Sequence, residues 1–133
     1  MKNLLFVIIL ILPGILLTHC TDQKNRKEVT FFKCNGTSYP YNLAIDLNGS
    51  KKRPMGSISL QEAHFGDSPD FDYYISMINL TSIQGAHTRA DGTIYKIFKI
   101  NRLDGNARLD YIGHSGEVFE SDIMECSIIK PII

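Results

Sequence analysis

The sequence predicts an α+β domain in which one short helix packs on a curved antiparallel sheet. A single early stretch has helix start and stop signals, and several later runs alternate apolar and polar residues between turn pairs. One cysteine near each end of that region adds a disulfide joining the two ends. The chain has 133 residues, 44% hydrophobic and 21% charged, with no tryptophan, which fits one small globular domain.

Residues 1–20 read as a secretory signal peptide. Lys2 supplies the positive start, the run from Leu4 to Leu12 is unbroken apolar, and Pro13-Gly14 breaks it. The segment is too short and wrongly flanked for a membrane anchor, so no membrane insertion is expected after its removal. A cut after Cys20 gives a soluble product. Acylation of Cys20 gives a bacterial lipoprotein instead, a pattern that the bulky His19 fits poorly. Both leave Cys34 and Cys126 as a pair in an oxidising route. Closing that long loop is worth about 4–5 kcal/mol by chain entropy.

Fourteen basic and fourteen acidic residues give a formal net charge of zero, which excludes a global basic field for nucleic-acid binding. Residues 21–28 form a polar, loose leader, and the domain proper is 29–133. A first strand covers 29–33, with Asn35-Gly36 as a turn. Ser38 caps the expected helix, Pro40 suits its first turn, Leu43, Ala44 and Leu47 share one face, and Asn48-Gly49 stops it. A basic loop with Lys51, Lys52 and Arg53 follows, then a short strand at 57–60 and a polar connection through 62–70. Strands at 71–80 and 94–100 alternate clearly, and the latter places Lys96 on an otherwise apolar face. Between them, 82–92 reads as a long loop holding His87 and Arg89. Asp104-Gly105-Asn106 turns the chain into a strand at 108–113, and His114 sits on the turn after it.

Phe32-Lys33-Cys34-Asn35-Gly36, the helix after it, Tyr73-Tyr74-Ile75-Ser76-Met77-Ile78, the strand around Lys96, His114-Ser115-Gly116 and the terminal Cys126 together resemble the small secreted fungal guanyl-specific ribonucleases. They resemble more closely the ribonuclease-like effectors of powdery mildew fungi, over nearly all of the mature chain. The resemblance implies a microbial ribonuclease-like fold. In that family a base, an acid and cations serve proton transfer at the ribose and phosphate. The acid matches His114. The base position holds Ile75, which cannot accept a proton, the arginine falls near Lys96, and the second histidine falls near Met55. No catalytic set is intact, so the resemblance implies a pseudoenzyme.

The expected function is that of a secreted fungal effector, a virulence protein delivered from the haustorium into plant host cells as a monomer. There it binds host protein or RNA, with a host immune receptor as a further partner, and modulates immunity. Lys51, Lys52, Arg53, Lys96 and His114 are the RNA-binding candidates. No cofactor or metal is expected, because His64 and His87 have no Cys or His at ligand spacing. Asn35, Asn48 and Asn79 open glycosylation sequons. Two alternatives stand beside this reading. One is a weakly active ribonuclease using His114 with a base such as Asp72. The other is a bacterial exported lipoprotein acting as an inhibitor of an extracellular enzyme or as a binding module.

Overall fold

The computed structural model describes residues 27–66 and 68–129, so the expected signal peptide, Cys20 and most of the leader lie outside the described residues. Eight strands follow one another: β1 (Thr30–Gly36), β2 (Pro40–Asp46), β3 (Ser57–Glu62), β4 (Tyr73–Ile78), β5 (Ser82–Thr88), β6 (Ile94–Asn101), β7 (Asn106–Ile112) and β8 (Val118–Ile128). Each pairs antiparallel with its sequence neighbour, and β8 returns to pair β1, closing an up-and-down barrel. The expected α+β, microbial ribonuclease-like fold is thereby corrected. The helical structure among the described residues is one 3-10 turn, Ala63–Phe65.

The expected helix is β2. Leu43, Ala44 and Leu47 do fit a helical face, but Tyr41, Leu43 and Ile45 also fit a strand, and all three are buried inside the barrel. Pairing with β1 on one side and β3 on the other gives this segment hydrogen-bond partners along both edges. The expected loop at 82–92 is mostly β5. Its inward residues Ile83, Gly85 and His87 stand opposite Ile100, Phe98 and Lys96 of β6. Gly85 is needed there, because a Cβ would lie 2.9 Å from the Ile58 methyl. A small residue facing the large Phe98 is how the layer fills.

Cys34 and Cys126 are direct partners in the β1–β8 register, and their disulfide crosses the strand pair that closes the barrel. This is the expected bond between the two ends of the domain. Phe98, Leu43, Ile58, Ile75 and Met124 fill the middle with almost no exposed surface. An eight-stranded barrel is just wide enough for side chains to fill, and here they do. Lys33, Lys99, Arg108 and Glu125 stand exposed on the outer surface. Among the described residues no helix is long and apolar enough to cross a membrane.

Candidate functional site

An up-and-down barrel has two ends with different loops. The turns β1–β2, β3–β4, β5–β6 and β7–β8 surround one mouth. The connections β2–β3, β4–β5 and β6–β7 surround the other, together with the start of β1 and the end of β8.

At the first mouth the inward face changes from apolar to polar on almost every strand. The register brings Tyr41 of β2 opposite Glu62 of β3, His87 of β5 opposite Lys96 of β6, and Lys96 opposite Tyr111 of β7, which in turn faces Glu120 of β8. Tyr73 and Tyr95 join them. The His87 ring lies between the two, with centroids 5.2 Å from Tyr73 and 4.7 Å from Tyr95. A register shift between His87 and Thr88 lets Tyr95 reach this cluster.

Lys96 is the group around which these aromatics gather. Its Nζ lies 5.1 Å from the centre of the Tyr95 ring and 5.4 Å from that of Tyr111, within cation–π range of both. The side chain is half-buried, and it makes no ion pair among the described residues. Arg89 stacks on the outer side of Tyr95 at 5.5 Å and donates to the Ile112 carbonyl at 2.6 Å, so it braces the β5–β6 turn against β7.

Asp122 is the deepest acid of this mouth. It accepts the Tyr41 hydroxyl at 2.8 Å and the Thr37 amide at 3.0 Å, joining β8 to the β1–β2 hairpin beyond the disulfide. Burial, reinforced by Asp122, pushes the Tyr41 hydroxyl far above its ordinary pKa. Tyr73 is raised by burial as well. His87 is lowered, mainly by burial, which outweighs the pull of Asp72, with Lys96 and Arg53 adding to the lowering. The cluster therefore holds tyrosines as neutral phenols, a histidine biased to its neutral form, and one lysine in no ion pair among the described residues.

The structure gathers some of the residues singled out from the sequence and separates others. Lys96 is in the mouth and His114 is exposed on the β7–β8 turn at the same end. Ile75, the position of the family's base, is sealed in the core at 2% exposure. Lys51 and Lys52 are exposed on the β2–β3 loop at the opposite end, and Arg53 beside them is committed to Ser57 Oγ and the Phe71 carbonyl. The RNA-binding candidates thus do not form one patch. Of the sequons, Asn35 and Asn79 are exposed, whereas Asn48 is half-buried and bonded to Lys27 and Asp46. His64 pairs with Glu62 at 3.3 Å, and no cluster of metal-ligating side chains exists among the described residues.

Reading from sequence missed His87, Tyr95 and Tyr111 as neighbours of Lys96, and Asp122 as the acceptor of the Tyr41 hydroxyl. The available signal was Lys96 itself, a cation on the apolar face of β6. No protein-family model, characterised protein or solved structure matches the chain.

Proposed function

We propose that this chain is an exported, disulfide-stapled binding barrel that docks the tyrosine-lined mouth onto an extracellular protein and blocks it. The observation that carries the reading is Lys96. A half-buried ammonium between two rings, in no ion pair among the described residues, is a receptor for an anionic group supplied from outside. Tyr95 and Tyr111, both half-buried, offer rigid contact area with polar tips, the composition of interface anchors, while Tyr41 and Tyr73 are sealed beneath them. The filled middle of the barrel leaves the mouth as a docking surface, with no deep cavity beneath it. A secreted hydrolase with a carboxylate-lined cleft fits this chemistry best, since such a cleft presents paired acids to an inserted cation.

The test is inhibition of a panel of secreted hydrolases, glycoside hydrolases included, by the disulfide-bonded chain and by Lys96→Met. Inhibition of at least one enzyme, weakened about tenfold or more by Lys96→Met, supports the reading. Absence of inhibition and of binding across the panel, or inhibition indifferent to Lys96, overturns it.

A second reading keeps a host-directed effector that binds RNA, because tyrosines beside a lysine also suit a stacked base and its phosphate. It ranks second because Lys51, Lys52 and Arg53 do not join Lys96 in one basic patch that would follow a polyanion. Single-stranded RNA binding that weakens with salt and with Lys96→Met would reverse the order.

A further inference from the structure

The opposite mouth holds a concavity that the proposed docking surface leaves unused. Phe32, Ile45, Leu47, Ile83 and Ile100 line a cleft of about 360 Å3, roofed by Leu103 of the β6–β7 turn. This lies within the range of about 300–1,000 Å3 typical of small-molecule sites. Ile45, Ile83 and Ile100 belong to the packed core and are 4%, 5% and 3% exposed, so Phe32, Leu47 and Leu103 supply the accessible apolar wall. Cys126 adds its half of the disulfide to the lining.

Arg102 stands at the rim. It donates one guanidinium N–H to the Asn79 carbonyl at 2.8 Å, which holds the group in place. It is exposed and forms no ion pair among the described residues. A guanidinium keeps its charge at any physiological pH and offers paired donors to a carboxylate. Asp104 lines the same cleft, with its Oδ1 taken by the Asn106 amide at 2.8 Å, so the anchored guanidinium is the group that meets the anionic head of a molecule with a single apolar chain.

We propose that this second mouth binds a free single-chain carboxylate amphiphile. The chain lies against Phe32, Leu47 and Leu103, and the carboxylate meets Arg102. The site is independent of Lys96, which belongs to the other end, so failure here leaves the docking proposal intact.

The experiment titrates the full disulfide-bonded chain with dansyl-labelled undecanoate, whose emission rises in an apolar site. The expected result is saturable binding at one site per chain, displaced by unlabelled dodecanoate. Arg102→Gln weakens the carboxylate about tenfold, Arg102→Lys restores most of the loss, and dodecanol competes equally with both. Absence of saturable binding overturns the proposal, as does equal carboxylate affinity in Arg102→Gln. Phe31→Ser is the control for the larger groove on the outer face of β1 to β3, which Phe31 lines. Binding lost in Phe31→Ser but kept in Arg102→Gln assigns the ligand to that groove and also overturns the proposal.

Discussion

Lys96 makes the mouth costly as well as receptive. A half-buried ammonium held by two rings alone gives up hydration that a carboxylate would have repaid. Lys96→Met therefore leaves thermal stability unchanged or raises it slightly while weakening partner binding, an outcome that calorimetry and inhibition read separately. A mutant that loses both in parallel would mark Lys96 as structural. His87 gives the mouth a pH dependence. Its folded pKa is lowered by burial, so between the unfolded value of about 6.5 and the folded one the unfolded chain binds more protons. Stability is full above about pH 6.5 and falls as pH drops below it. Denaturation midpoints measured from about pH 7.5 down to about pH 5 should show the decline, and His87→Gln should flatten it. Asp122→Ala removes the acceptor of the buried Tyr41 hydroxyl and costs about 1–3 kcal/mol in a urea titration.

Among the elements, the β6–β7 turn is tightly constrained. Gly105 has a φ of 76°, and a Cβ there would lie 2.3 Å from the Cys126 carbonyl oxygen, which the adjoining strand cannot move aside. Gly105→Ala is expected to cost more than about 1–2 kcal/mol, measured by thermal unfolding. β4, β6 and β7 were legible because their alternation is regular and their turns are marked by Gly and Asn. β2 was not, since Leu43, Ala44 and Leu47 satisfy a helical period too, and only pairing with β1 and β3 decides between them. β5 was hidden by its own role: Gly85, Ala86 and His87 look like a loop because their faces must stay small against Phe98 or polar in the mouth. β8 was hidden by inverted polarity. Its inward side carries Asp122 beside Met124 and Cys126, while Phe119 and Ile123 face outward and are largely exposed. Of the site, Lys96 was visible as an anomaly, but its companions come from β2, β3, β4, β5, β7 and β8. No local pattern encodes that convergence.

At the scale of the whole molecule, the stability of the barrel depends on its closing seam. The disulfide joins strands that are neighbours in space and 92 positions apart in sequence, so its removal releases a very long loop into the unfolded ensemble. Cys34→Ala with Cys126→Ala should lower unfolding free energy by about 4–5 kcal/mol, with the mouth chemistry unchanged in whatever fraction stays folded. Every strand has a partner on both sides, and the ring is thinnest between β3 and β4, whose register holds only Ser57 opposite Tyr74 and Ile58 opposite Tyr73.

The strand order is a ring, and both described ends leave it side by side. In strand pairing, then, no strand is first. A short linker from Ile129 back to Lys27, with new ends cut in the exposed β7–β8 turn, would preserve every strand pairing. It would also reverse the meaning of the cysteine bond, which would then span only a short stretch of the joined backbone. The same two sulfur atoms in the same place would become a smaller entropic constraint, so how much the bond stabilises depends on where the ring is cut.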